Sequence, residues 1–149
     1  LSDVLGQLRG RSESTVVDAG PCQGAWAAAF SHLADVTLLV ADHRDSAADV
    51  YAAVKKLACP AARSGRAKPP WLFFNRVVPP GRSESTQQAV IHTARRYLEI
   101  DPPPAGCLYE HEDPAGGLAV LVQTLAAAGI AAKTQKNDLC TQLVAAEGR

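Results

Sequence analysis

The sequence contains no methionine, not even at its start, which is Leu1. A chain that begins this way reads as a piece of a longer one. Aromatic residues make up only 5% of it. Its apolar runs, such as Val36 to Ala41, fall far short of the ~20 residues that a membrane-spanning helix requires. Charge of neither sign is in excess, because 15 Lys and Arg balance 15 Asp and Glu. Charge therefore indicates neither a nucleic-acid binder nor a membrane-surface binder. The start of the chain has no charged-then-apolar leader, so the reading is cytosolic. The four cysteines, Cys22, Cys59, Cys107 and Cys140, form no CxxC pair. That spacing suits neither a zinc knuckle nor a redox dithiol. Also missing are G-x-x-x-x-G-K-[ST] and a G-x-G-x-x-G opening a helix, so the chain builds no standard phosphate cradle by itself.

What is present is a globular composition, 47% hydrophobic and 20% charged over 149 residues, enough for one domain with its own core. Leu1, Val4, Leu5 and Leu8 repeat at helical spacing up to Gly10. Thr15 to Ala19 is a short β-rich run stopped by Gly20-Pro21. Residues 24–33 are Ala-rich and predict a helix. Val36 to Ala41 (VTLLVA) is continuously apolar, as in a strand buried on both faces. Ser46 predicts a helix cap, followed by one stripe of Ala47, Val50, Tyr51, Val54 and Leu57. Residues 59–70, rich in Pro, Arg and small side chains, predict an exposed loop. Trp71 to Phe74 is a second apolar strand ending in Asn75-Arg76. Ser85 and Gln88 have capping-box spacing, with a helix to Leu98. Pro102 to Pro104 breaks it, Gly106 to Tyr109 is a weaker strand, and 116–128 and 138–146 predict helices. Strands and helices thus alternate, which predicts an α/β fold: a mostly parallel sheet with helices on both faces. GRSEST occurs at 10–15 and again at 81–86, in different contexts, and is treated as coincidence rather than a repeat.

In an open α/β sheet, ligands bind beyond the carboxyl ends of the strands. The polar residues there are Asp18 after the first strand, Asp42, His43, Arg44 and Asp45 after the second, and Asn75 and Arg76 after the third. A carboxylate such as Asp18, ahead of a Gly-containing turn, can hold a metal or its water, or simply cap the turn. Asn75 offers a donor and an acceptor to a base edge, or serves as a turn residue. Glu110-His111-Glu112-Asp113 looks like a metal cluster, but neighbours in an extended loop rarely converge on one ion. Cys22 sits between a strand and a helix, where a thiolate could be stabilised, but no phosphatase-type arginine follows closely.

TVVDAGP, FSHLADVTLLVADHRDSAADVYAAVKKLA and WLFFNRV, in this order and spacing, resemble the later half of a MinD/ParA-type P-loop ATPase. The flagellar-number regulators and cellulose-synthesis-associated relatives are the most similar branches. The resemblance covers roughly residues 1–115, with Asp35 and the strand from Val36 matching the family's "aD" element and Leu98 to Asp113 its "Leu … Gly … Asp" stretch. The family's usual first turn, Asp-x-Pro-x-Gly, reads DAGPCQG here. The resemblance implies a Rossmann-like P-loop NTPase half-domain, with residues 1–149 forming the C-terminal part of a nucleotide-binding domain. It implies ATP and Mg²⁺ as cofactors, with Asp18 as the catalytic acid near Mg²⁺ and Asn75 at adenine. Arg76 and Asp42 join Asn75 as cofactor-binding candidates. It further implies a bacterial regulatory protein that works as a homodimer or with a partner protein. The expected function is a regulatory ATPase-type domain lacking its own phosphate loop, and the alternative is a nucleotide-free pseudo-ATPase that acts as a protein-interaction module. A third reading is a small α/β enzyme using Cys22 or Asp18.

Overall fold

The computed structural model describes residues 14–63, 68–78, 82–111, 113–127 and 139–145. Among these residues lie five strands: β1 (Ser14–Asp18), β2 (Val36–Asp42), β3 (Trp71–Val77), β4 (Pro104–Tyr109) and β5 (Leu139–Ala145). Four helices alternate with them: α1 (Ala25–Leu33), α2 (Ala47–Arg63), α3 (Arg82–Leu98) and α4 (Pro114–Ala127). The strands form one sheet in the order β1-β5-β2-β3-β4, and every pairing is parallel. The chain is therefore α/β, with a parallel sheet between helices, as the alternating pattern predicts. The predicted helix over Leu1 to Leu8 lies outside the described residues.

The two faces of the sheet are filled by alternate residues of the same strands. Leu39, Ala41, Leu72, Phe74 and Val77 face one side, against Val50, Val54 and Leu57 of α2 and Val90, Ile91 and Ala94 of α3. Ala27 of α1 and Cys22, in the loop ahead of that helix, join the same cluster. Leu38 and Phe73 face the other side with Ala105 and Leu121, flanked by Val40, Trp71, Leu108 and Leu125. Burial on both sides is why β2 and β3 read as continuous apolar runs. The chain steps from β1 through β4 in one direction across the sheet, with α1 to α3 on one face. It then returns through α4, on the opposite face, to place β5. Crossovers of one hand demand this: reversing the direction of travel moves the connecting helix to the other face.

Three expectations need correction. Residues 138–146 were expected to be helical, but Leu139–Ala145 forms β5. β1 and β2 are not neighbours; each presents a ladder of N–H and C=O groups toward a gap one strand wide. β5 pairs with both, Thr141 lying between Val16 and Val36. A helix there would satisfy only its own backbone and leave those ladders open. Residues 59–63, expected in a loop, continue α2 to Arg63. Pro60 stands in the last turn, where it costs one backbone hydrogen bond rather than breaking the helix in its middle. Finally, α3 starts at Arg82, so Ser85 lies inside the helix and does not cap it. The Ser46 cap does form. The Asp49 N–H donates to Ser46 Oγ (3.2 Å), and the Ser46 N–H donates back to Asp49 Oδ2 (3.2 Å). This is a capping box, with the carboxylate also favoured at the positive end of the helix dipole. No helix among the described residues is long and apolar enough to cross a membrane.

Candidate functional site

Because all strands are parallel, the carboxyl ends of β1, β2 and β3 lie toward the same edge of the sheet. Register decides which of their polar residues meet. Asp42 pairs directly with Asn75 across β2 and β3. The pairing of β3 with β4 is then irregular: Phe74 faces Cys107 and Val77 faces Tyr109, so β3 carries one extra residue over that interval. Such a bulge re-aims side chains. It keeps Val77 buried on the same side as Phe74 and places Arg76 in the left-handed region at φ 54°. There the Arg76 guanidinium turns back across the strand. Its Nε donates to Asp42 Oδ2 at 2.8 Å and its Nη2 to the same oxygen.

The other carboxylate oxygen of Asp42 accepts the Arg44 N–H (3.0 Å). The Asp42 N–H donates to Asp45 Oδ2 (2.8 Å), and the Asp45 N–H returns to the Asp42 carbonyl (3.0 Å). Asn75 is engaged at two points: its carbonyl accepts the His43 N–H (3.2 Å) and its Oδ1 accepts the Arg76 N–H (2.9 Å). His43 Nδ1 lies 2.9 Å from Asp42 Oδ1, yet this buried nitrogen makes no hydrogen bond among the described residues. Burial alone would raise the pKa of Asp42, but the Arg44 N–H, Arg76 and His43 outweigh it and hold the carboxyl below its usual value. Asp45 goes the other way. Burial lifts its pKa, and the charges of Asp42 and Asp49 add to this against the opposing Asp42 N–H and His43.

Asp18 is not part of this cluster. It pairs with Leu143, which pairs with Leu38 of β2. Asp42 is four residues further along and two strands across, a separation of roughly 16 Å from strand rise and spacing. The loop after β1 shows the same offset. Lys56 Nζ donates to the Gln23 carbonyl (2.7 Å), and Cys22 Sγ points at the Ala53 carbonyl (3.8 Å). Both partners sit in the middle of α2 rather than at its start. Asp18 is exposed, and its Oδ1 accepts the Gly20 N–H (2.9 Å), with Gly20 at φ 69° completing the turn. Cys22 is 1% exposed within the core, and burial pushes its thiol pKa up, with Lys56 opposing. A protonated, enclosed thiol is a poor nucleophile, which counts against the Cys22 enzyme reading.

Of the Glu110 to Asp113 stretch, Asp113 caps α4, its Oδ1 accepting the Ala115 N–H (3.2 Å). Among the described residues, no three His, Cys, Asp or Glu side chains converge as a metal site. The structure thus brings together Asp42, Asn75 and Arg76, leaves Asp18 apart, and adds His43 and Asp45. The sequence signal for those two was the Asp42-His43-Arg44-Asp45 run, whose Asp-to-Asp spacing of three is that of a tight turn. Against protein-family models, curated proteins and solved structures, the chain finds no match.

Proposed function

We propose that this chain is a MinD/ParA-like nucleotide-binding domain of the ATPase type that lacks a phosphate-binding loop of its own. On this reading it recognises the nucleoside end of ATP and regulates a partner protein or a second copy. The supporting observation is the pairing of Asp42 with Asn75 at the carboxyl ends of two adjacent parallel strands, with the Arg76 guanidinium on Asp42 and the Arg76 N–H on Asn75 Oδ1. In such sheets that edge is where ligands bind. Asn75 carries an amide suited to a purine edge. On this reading Asp18, across β5, is the residue that would hold the Mg²⁺ of a bound triphosphate, a role that the resemblance alone assigns to it. Without a cradle of backbone N–H groups and a lysine, the phosphates contribute little affinity.

Titration calorimetry tests this reading. Adenosine, AMP and Mg·ATP are expected to bind with similar, weak affinity, to lose that affinity in Asn75→Ala, and to show no turnover. Absence of adenosine binding at millimolar concentration would reject nucleotide recognition. Micromolar Mg·ATP affinity, or turnover abolished by Asp18→Ala, would reveal a phosphate site. The second reading, a nucleotide-free interaction module, is favoured by apolar side chains left in solvent: Trp26 on α1, and Leu118, Val120 and Val122 on α4.

A further inference from the structure

We infer that Arg76 decides which purine this edge of the sheet accepts: by filling the Asp42 carboxylate it removes the acceptor that guanine needs and leaves adenine favoured. The inference rests on the nucleoside-recognition reading and names the base. Asn75 by itself does not choose. Its Oδ1 accepts one N–H, that of Arg76 (2.9 Å), which leaves a second lone pair and the whole NH2 group for a ligand. A donor and an acceptor side by side match the N6 amino group of adenine and a ring nitrogen beside it. They match O6 and N1–H of guanine equally well. The choice therefore falls to the next group along the edge.

That group is Asp42. It pairs directly with Asn75 in the register of β2 and β3, so the two residues lie about 4.8 Å apart. Alternation along the strands sends both side chains to the face of Val40 and Phe73. Burial acts to raise the pKa of Asp42, but the Arg44 N–H, Arg76 and His43 outweigh it, so the group is a carboxylate at neutral pH. A bare carboxylate accepts both N1–H and the 2-amino group of guanine, one on each oxygen. Adenine has neither donor at those positions and turns the lone pair of N1 toward the negative charge instead. An open Asp42 thus favours guanine. Asp42 is not open. Its Oδ2 takes two donors of the Arg76 guanidinium, Nε (2.8 Å) and Nη2. Its Oδ1 takes the Arg44 N–H (3.0 Å), with His43 Nδ1 beside it at 2.9 Å. A carboxylate offers about four lone-pair sites, so at most one remains where guanine requires two. Arg76 has a further interaction besides these contacts, which makes it a fixed member of the site.

Calorimetry with adenosine, guanosine and inosine on the full chain and on Arg76→Gly tests this. Glycine suits φ 54° and keeps the backbone N–H for Asn75 Oδ1. Arg76→Asn, which also tolerates that region, takes its place if the glycine variant does not fold. The parent is expected to bind adenosine more tightly than guanosine. In Arg76→Gly the guanosine-to-adenosine affinity ratio is expected to rise about tenfold, the worth of one charge-assisted hydrogen bond. Inosine, which lacks the 2-amino group, is expected to gain less than guanosine, and adding Asp42→Asn to Arg76→Gly to erase the gain. A parent that binds guanosine as tightly as adenosine, or a ratio unchanged in Arg76→Gly, overturns the selection and leaves nucleoside recognition standing. A gain equal for inosine, or kept in the double variant, overturns it too, because Asp42 is then not the acceptor. Binding of none of the three nucleosides to the parent overturns the nucleoside reading, and the selection with it.

Discussion

Asp42 and Asp45 share one turn after β2, and the turn shifts their carboxyl groups in opposite directions. Burial works against the charge of Asp42, but the Arg44 N–H and the Arg76 guanidinium more than compensate, so its folded pKa lies below the unfolded one. Its stabilising contribution is present above the unfolded value, about pH 3.9, and is lost as pH falls through the lowered folded value. Burial and the nearby charges of Asp42 and Asp49 raise the pKa of Asp45. Its contribution is therefore fully present below about pH 3.9 and lost as pH rises through the raised folded value. Urea-unfolding midpoints measured from pH 2.5 to 7 are expected to separate the two. Asp42→Asn should flatten the acid limb below about pH 4, and Asp45→Asn should flatten the decline above it. Identical profiles for parent and both variants would count against the network. These two residues were visible in the sequence as polar residues after an apolar strand. Their opposite shifts were not, because the Asp42 shift depends on Arg76, 34 positions away, and both shifts depend on burial.

At the scale of elements, α4 sets two neighbouring glycines in contrasting surroundings. A Cβ at Gly116 would meet nothing within 4 Å, whereas one at Gly117 would lie 2.3 Å from Leu108 Cδ1 and 3.4 Å from its Cγ. In a helix, Gly→Ala is ordinarily a gain of up to about 1 kcal/mol. Gly116→Ala should keep most of that gain. Gly117→Ala should lose it to crowding, for a net change from neutral to about 2 kcal/mol destabilising. Thermal denaturation of the two variants checks this, and equal midpoints would mean that α4 does not rest on Leu108. β2 and β3 were legible from sequence because burial on both faces leaves an apolar run. The end of α2 was not, because Pro60 signals a stop that a helix can absorb in its last turn. The start of β4 at Pro104 fits the rule that proline is tolerated at the first residue of a strand, although in the sequence it looked like the end of a breaker.

The whole molecule depends on β5, which joins β1 to the rest of the sheet. β1 pairs with β5 alone among the described strands, and β2 pairs with β5 on one side and β3 on the other. Thr141 lies at the centre of the pairing of β5 with β1 and at the start of its pairing with β2, and a proline there removes a ladder donor and clashes with the neighbouring strand. Thr141→Pro is expected to cost on the order of 2–3 kcal/mol in chemical denaturation, with early loss of protection in Ser14–Asp18 by hydrogen exchange. A loss below about 0.5 kcal/mol would mean that residues 139–145 do not form a central strand.

The sequence alone determined the α/β class, because two-faced burial and helical stripes alternate along the chain and local periodicity records both. It also determined which polar residues end the strands. Tertiary structure decided how those residues combine. Pairing register is a relation between segments, and it set Asp42 beside Asn75 while leaving Asp18 four residues short of them. The bulge that turns Arg76 onto Asp42 exists only in the pairing of β3 with β4. Residues 139–145 became a strand because β1 and β2 left one strand's width of unpaired backbone between them, a demand written in the sheet and not in the seven residues that meet it.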